Sequence, residues 1–402
     1  MKILHLNYSD NKGGAARAAY RIHKAITDEG VNSIFLSDEV AAENKNTSIS
    51  LNGIERLQRK FVWKTANLFK ILLGTSYRSN KNFGLFHSPW LKKINAINAD
   101  IVHLHWPGRE ILSIKQISKI NAEVVWTFHD LWPILGTSHL PDINFATPAN
   151  STRPKKYLMH KIIESMVMSS KIRNWKQNFA IVTPSKSMEN RVRESNIFKN
   201  NIIKTIPHPI NLQEWKPISK KVARKELSIS DDEKVILFGA YGGITDQNKG
   251  FSYLEKALIH LSNNNENKFR LIVFGSKVGL SSKIKNILVT SFDYINNNNF
   301  LNKLYSASDV FAMPSDFESF GQTALESLCC GTPVVAFSDN GIQDIVTHKK
   351  NGYIVYKDNP NKSLEFASGL KWALSENTEI NSKYNELLIK KFDNRNIARQ
   401  YI

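Results

Sequence analysis

Cysteine is nearly missing from this chain: its 402 residues hold two, Cys329 and Cys330, side by side. Adjacent cysteines in a helical pattern build neither a disulfide framework nor a zinc-ligand spacing. They are expected to pack as small hydrophobes in a reducing compartment. Long apolar runs are missing too, with no stretch of 18 or more such residues, and Met1-Lys2 leads directly into a strand pattern instead of a signal-peptide core. The chain is therefore expected to stay inside the cell, in the cytoplasm, without spanning a membrane. The dinucleotide fingerprint G-x-G-x-x-G is also lacking. After the first strand stands Asp10-Asn-Lys-Gly-Gly-Ala-Ala-Arg17, whose glycine spacing is wrong for a nicotinamide site, although Asp38 could serve as the acidic residue after a second strand. No HxxxH pair lies on a helix and no acidic ligand is in step with the histidines, so no metal is expected.

An apolar share of 42% and a charged share of 22% are those of an ordinary globular protein, and 402 residues imply two domains of about 200. Charge is unevenly placed. Residues 1–207 carry 30 Lys and Arg against 15 Asp and Glu, net +15, whereas 208–402 carry 24 against 21, net +3. One basic segment runs from Arg56 to Lys81, where Arg56, Arg59, Lys60, Lys64, Lys70, Arg78 and Lys81 interleave with Phe61, Val62, Trp63, Leu68, Phe69, Leu72 and Leu73. That pattern reads as a helix lying on anionic lipid or as a solvated face. A second run, Arg153 to Lys176, reads the same way more weakly. Nucleic acid is the other partner such charge suggests, but no recognition motif for it is present, and none is expected as a partner.

Strand and helix patterns alternate along the whole chain, the mark of parallel sheets covered on both faces. Strands are expected at Lys2–Tyr8, Asn32–Ser37, Asp100–His105, Val124–Phe128, Phe179–Thr183 and Ile202–Ile206. Helices are expected at Ala15–Glu29, Ser113–Ile120, Lys155–Lys176 and Lys186–Glu194. Pro207, Pro209 and Pro217 then break regular structure and mark a linker. A second series follows, with strands at Lys234–Gly239, Phe269–Phe274, Ile287–Ser291, Asp309–Met313, Val334–Phe337 and Tyr353–Tyr356, and helices at Phe251–Leu261 and Phe300–Ser306. The expected fold class is α/β, two Rossmann-like doubly wound domains facing across a cleft, with a first domain at 1–207 and a second at 208–393.

The most informative stretch is Met313–Thr332, MPSDFESFGQTALESLCCGT. Pro314 stops a buried strand, and two carboxylates follow eight positions apart. Glu318 falls in a loop and Glu326 on the helix that Ala324, Leu325 and Leu328 define by their core spacing. Backbone amides at Phe320, Gly321 and Gln322 then stand at a helix N-terminus, which favours an anionic or hydroxyl-rich ligand. A carboxylate beside them suits sugar hydroxyls, and a second one two turns on suits another polyol. The alternative is a plain surface loop followed by an amphipathic helix.

PSDFESFGQTALESLCCGTPVVAF resembles the donor-site signature of the retaining glycosyltransferases of family 4, whose E-x7-E pair flanks a nucleotide-sugar. GGAARAAYRI, HLHW at 103–106 and T-x-HD-x-W at 127–132 resemble motifs of a subgroup acting on bacterial polysaccharide or lipopolysaccharide. The resemblance implies the GT-B fold, with the last helix, 394–402, returning to the first domain. It also implies Glu318 at the sugar, Glu326 at the ribose, Phe320, Gly321 and Gln322 along the donor, Lys249 at the diphosphate and His129 near the transferred sugar, with His129, Lys249 and Glu318 catalytic. Gly13, Gly14 and Arg17 become a phosphate or acceptor loop. The wider family has an arginine where this chain has Ala240, so a second cation at the diphosphate is not assigned. Implied too are a hexosyltransferase independent of metal and of any cofactor, a UDP- or GDP-sugar donor, a lipid-linked or polysaccharide acceptor, and peripheral attachment to the inner membrane face through Arg56–Lys81. A sugar-nucleotide epimerase of the same fold, or a basic nucleic-acid-binding or scaffold protein, are the alternatives.

Overall fold

The structure is a computed structural model that describes residues 1–10, 12–39, 51–72, 81–141, 154–176, 178–239, 241–263, 268–275, 283–375 and 382–402, without the side chains of 72, 154–157, 382 and 383. Ala240, Leu73, Arg78 and Arg153 lie outside the described residues. The chain divides into two compact units, Met1–Ile206 with Ala398–Ile402, and Pro207–Ile397.

The first unit is built on six strands, β1 (Lys2–Ser9), β2 (Asn32–Glu39), β3 (Ile101–Leu104), β4 (Glu123–Thr127), β5 (Ala180–Thr183) and β6 (Ile202–Thr205). They run in the order β2-β1-β3-β4-β5-β6, all parallel. The second unit holds β7 (Lys234–Gly239), β8 (Phe269–Phe274), β9 (Lys283–Ile284), β10 (Ile287–Phe292), β11 (Val310–Met313), β12 (Val334–Phe337) and β13 (Gly352–Val355). Their order is β13-β12-β11-β7-β8-β10-β9, parallel except for the edge pair β9–β10.

Side chains alternate across a strand, and both faces of the second sheet are buried. Val235 and Leu237 join a core with Leu304, Phe311 and Leu325, whereas Ile236 and Phe238 join another with Leu254, Leu258 and Phe366. Such strands read as continuous apolar runs, which is why Lys234–Gly239, Phe269–Phe274 and Val334–Phe337 coincide with their expected spans. Cys329 and Cys330 are buried in the first of these cores.

In each sheet the first strand has neighbours from opposite directions of winding: β1 lies between β2 and β3, and β7 between β8 and β11. That is a switch point, where the loops leaving the strands diverge and open a crevice at the carboxyl edge of the sheet.

Three expectations change. The helix expected at Ser113–Ile120 is confined to Ile114–Ile117, because Ser113 caps it through a reciprocal bond with Gln116 and the chain then tightens into turn bonds, Lys119 N to Gln116 O and Ile120 N to Ile117 O. Helices at Trp90–Ala96, Lys220–Glu226, Lys362–Leu374 and Ser382–Lys390 were not expected. Within the Gly53–Leu72 helix, Arg59 points inward, forking onto Asp38 at 3.0 and 3.1 Å. The last helix, Asn394–Tyr401, places Ala398 against Ile3, Ile22 and Ile26 of the first unit, with the Tyr401 hydroxyl 3.3 Å from Thr127 Oγ1.

Candidate active site

The second unit gathers its charged groups from the loops after β7 and β11. Past β7 the chain makes two 3-10 turns, Gly243–Thr245 and Gln247–Lys249, and Gly250 closes the second with φ +67°. A side chain at Gly250 is impossible on two counts, since a Cβ there would lie 1.9 Å from Pro314 O and φ is left-handed. Asn248 fastens the two loops together. Its amide donates to Phe317 O at 2.9 Å and accepts from Phe317 N at 3.0 Å, and its carbonyl accepts from Asp316 N at 2.8 Å.

This seam carries Lys249 to Glu318, Nζ to Oε1 2.6 Å, with the two side chains 21% and 12% exposed. Burial alone would lower the Lys249 ammonium; Glu318, by charge and hydrogen bond, and Asp246 hold it above its ordinary value. The Glu318 carbonyl accepts from Gly341 N at 2.9 Å, which fixes the loop from the other side. Gly321, φ +100°, caps the Gln322–Cys329 helix and turns the chain so that Phe320 is buried beneath it, its ring 4.8 Å from that of His208. Glu326 lies in the second turn of that helix, 1% exposed, and accepts from the Tyr305 hydroxyl at 3.3 Å. The structure thus brings Lys249 and Glu318 into contact and sets Glu326 deeper.

The first unit is built otherwise. Gly13, φ +89°, stands before the Gly14–Asp28 helix at the carboxyl end of β1, and Arg17 N donates back to Gly13 O at 3.1 Å. From β1, the residue after β3 and the loop after β4 come three imidazoles in a row. His5 Nδ1 faces His105 Nε2 at 2.9 Å, and His105 Nδ1 faces His129 Nε2 at 3.0 Å. Burial lowers His129 to about 4 against the opposing pull of Asp130, so it is neutral near pH 7. A neutral imidazole has one donor and one acceptor, so the row runs in one of two senses. The distances alone are compatible with both.

His103 joins the same group, its Nε2 2.7 Å from Thr127 Oγ1, and ligand atoms of His5, His103 and His105 lie within 4.8 Å of one another. Local spacing could not reveal this cluster, because His5 meets His103 across the β1–β3 ladder. Beside it, Asp130 accepts from Trp106 Nε1 and His139 Nδ1, each at 2.6 Å, and from Trp132 N at 2.9 Å. Burial would raise Asp130, but the charge and hydrogen bond of His139 keep it below the usual carboxylate range. Lys171, from the second basic run, is fully buried and donates to the carbonyls of Trp132, Leu135 and Gly136, so it braces the 132–136 turn and faces no partner molecule.

Residues 12–214 match the family model described as Glycosyltransferase Family 4, and residues 219–390 the one described as Glycosyl transferases group 1. An uncharacterized glycosyltransferase of Methanocaldococcus jannaschii, MJ1607, is 31% identical over 245 residues, 55% of this chain and 58% of that protein. A D-inositol 3-phosphate glycosyltransferase of Segniliparus rotundus is 31% identical over 163 residues, 38% of this chain and 35% of its own length. Two of these curated relatives are thus matched over less than two thirds of their length. The glycogen synthase of Mycoplasma mobile aligns with all of the chain and 99% of its own length at 23% identity. Among solved structures, Anabaena Alr3699/HepE in complex with UDP-glucose superimposes with a TM-score of 0.67 at 16% identity, covering 100% of this chain and 98% of that one. WaaG, a glycosyltransferase involved in lipopolysaccharide biosynthesis, superimposes with a TM-score of 0.62 at 14% identity, covering 99% and 98%. The fold is that of these GT-B proteins.

Proposed function

Because this chain belongs to glycosyltransferase family 4, we propose that it moves a hexose from a UDP- or GDP-sugar held by the second unit to a lipid-linked or polysaccharide acceptor, with retention of the anomeric configuration. The observation that carries this reading is the seam at Asn248, which delivers an ammonium and a carboxylate 2.6 Å apart to the switch point between β7 and β11. An ammonium there offsets the charge that builds on a departing diphosphate, and the amides at Phe320, Gly321 and Gln322 add the positive end of a helix. No metal is needed for that step. When the diphosphate draws Lys249 away, Glu318 is released to accept hydrogen bonds from the sugar hydroxyls, and Glu326 takes the ribose. The acceptor oxygen forms its bond to the anomeric carbon as the bond to the diphosphate oxygen breaks on the same face, and the acceptor's proton passes to that leaving oxygen. The His129 imidazole suits a sugar oxygen, and Gly13, Gly14 and Arg17 suit a phosphate. HepE has been solved with UDP-glucose, which supports a nucleotide-sugar donor here.

A membrane surface is the second half of the proposal. Along the Gly53–Leu72 helix Ile54, Leu57, Phe61, Leu68 and Ile71 fall on one stripe with Lys64, and Ile54 and Phe61 are 73% and 70% exposed. Arg56, Lys60 and Lys64 are exposed beside it. A groove of about 830 Å³ lined by Leu57, Phe61, Val62, Phe86 and Pro89 adjoins them and suits the hydrocarbon of a lipid-linked acceptor. Arg59 belongs to the protein interior and is withdrawn from this surface. Among the described residues no helix is long and apolar enough to cross a membrane. Calorimetric titration of UDP and of GDP into the purified protein tests the donor reading: one nucleotide should bind in the micromolar range or tighter, and binding of neither at millimolar concentration would reject it.

A further inference from the structure

Two exposed aromatic rings stand at the carboxyl edge of the second sheet. The ends of β7, β8 and β10 are level there, with Gly239 beside Phe274 and Phe274 beside Phe292 in the strand register. Tyr241 follows two residues past the end of β7 and Tyr294 two past the end of β10, so β8 separates their backbones by two strand spacings of ~4.8 Å each. The side chains close that gap, their ring centroids 5.7 Å apart and their planes at 84°, edge against face. The pair gains from its own contact, yet Tyr241 stays 57% exposed and Tyr294 37%. Ring surface is thus left open at the edge where open α/β sheets bind their ligands.

Both rings are held on fixed loops. Gly275 N, just past β8, donates to Phe292 O at 3.1 Å and to Asp293 O at 3.2 Å, which ties the end of β8 to the Tyr294 loop. That loop ends at Asn297, whose side chain accepts from Phe300 N at 3.0 Å and caps the Asn298–Ala307 helix, while the Phe292 and Phe300 rings meet at 5.3 Å. On the other side Gly242, φ +86°, turns the chain after Tyr241, and Thr245 closes the turn on Gly242 O through its amide at 3.3 Å and its hydroxyl at 2.8 Å. Rings presented in this way cost little to order when a ligand arrives.

The chemistry of that ligand follows from what the same loop carries. One run, 241–249, has Tyr241 at its start and Lys249, the cation facing Glu318, at its end. A ligand that meets both joins an anion to a flat apolar face. Asp293, exposed and next to Tyr294 in the chain, repels a phosphate from the ring end and accepts from an N–H. A free sugar lacks the anion and inorganic diphosphate lacks the face. A nucleoside diphosphate has both, and every base offers a π face on which tyrosine stacks.

We propose that Tyr241 and Tyr294 seat the base of the nucleotide, stacking on it from the loops after β7 and β10, and so set how tightly the donor is held through its base. The proposal rests on the reading of the second unit as the nucleotide-sugar site.

The test is calorimetric titration of UDP, GDP and inorganic diphosphate into the wild type and into Tyr241→Ala, Tyr294→Ala and Tyr294→Phe. For whichever nucleotide the wild type binds, each alanine variant should weaken binding roughly 10-fold or more, and Tyr294→Phe, which keeps the π face, should stay within about threefold. Inorganic diphosphate should bind all four proteins alike. The base protons of the bound nucleotide should move upfield in NMR spectra of the wild type, under the ring current of the tyrosines, and that shift should shrink in both alanine variants. Both positions are exposed, so melting temperatures should hold within about 2 °C; Tyr241→Leu and Tyr294→Leu replace an alanine variant that fails to fold and should show the same loss. The proposal is overturned if the alanine variants bind the nucleotide like the wild type, if inorganic diphosphate is weakened as much as the nucleotide, or if the base protons do not shift. A wild type that binds neither nucleotide at millimolar concentration removes the donor reading and this proposal with it, whereas a wild type that binds one, matched by its alanine variants, removes the tyrosine seat alone.

Discussion

In the second unit the reactive groups are ions that neutralise each other, Lys249 against Glu318; in the first they are imidazoles that hydrogen-bond in a row, His5, His105 and His129. Each set belongs to its own parallel sheet, near the switch point beside β7 in one and beside β1 in the other. His208, His260 and His348 are the histidines of the second unit, which leaves eight of the 11 in the first, and residues 1–207 also carry +15 of the net charge of +18. The contrast fits a division of labour. Charge development on a leaving diphosphate calls for a fixed cation, whereas an acceptor's hydroxyls call for uncharged donors and acceptors that do not exclude a neutral ligand.

That division can be broken most severely at Lys249. Lys249→Ala should lower kcat by about 10²–10³ with donor saturating, as for removal of one group that stabilises developing charge. If donor affinity falls equally and kcat is untouched, Lys249 is an anchor and the second unit has no privileged claim on the chemistry. Glu326→Gln should have the next largest effect. Loss of a charged acceptor for the ribose costs about 1.5–3 kcal/mol, roughly 10- to 150-fold in nucleotide affinity. Calorimetry that finds UDP and GDP binding unchanged would instead make Glu326 a purely internal partner of Tyr305.

How much of this could be read from the chain differs between the units for the same physical reason. The donor loop is a single run, Met313–Thr332, in which a strand, a stop, a loop and a helix follow in order, so the order of its own elements is legible in sequence. No local pattern marks its partners from elsewhere in the chain, Asn248 at Phe317, Tyr305 at Glu326 and Gly341 at Glu318. In the first unit the histidines come from three separate chain segments, and the His5–His103 pairing depends on sheet register. Burial also decided what composition could not. Arg59, Lys70, Lys81 and Lys171 belong to runs that read as exposed basic faces, yet each turns inward to a carboxylate or a set of carbonyls. Helix periodicity marks a face; it does not say which long side chains fold back to reach a partner.

Acidification should separate the units by a smaller margin. Burial lowers His23 and His129 to about 4, His103 to about 3, and His5 well below its ordinary value. An unfolded histidine takes up a proton near pH 6.5 while these folded ones do not, so the unfolded state binds more protons below that pH and stability falls as pH drops from about 6.5 toward 4. Six of the eight tryptophans lie in the first unit, so tryptophan fluorescence should report its melting temperature falling by several degrees over that range. A loss that begins only below pH 4 would mean that carboxylates, not the imidazole row, set acid stability. The smallest expected effect is at the surface. Replacing Arg56, Lys60 and Lys64 together with glutamine should abolish sedimentation with anionic vesicles at low salt, each basic residue contributing about 1 kcal/mol, while turnover of a short soluble acceptor stays within about twofold. Equal sedimentation of variant and wild type would leave the Gly53–Leu72 helix as an apolar face with some other cover.

The most direct test of glycosyl transfer is the rate of nucleoside diphosphate release from UDP- and GDP-sugars, measured with and without a lipid or glycan extract as acceptor, together with the anomeric configuration of the product by NMR. The account predicts that one donor releases its nucleotide at least tenfold faster when acceptor is present, and that the new glycosidic bond keeps the donor's configuration. Release at the same rate without acceptor, an inverted product, or an epimerised donor with no transfer would contradict it.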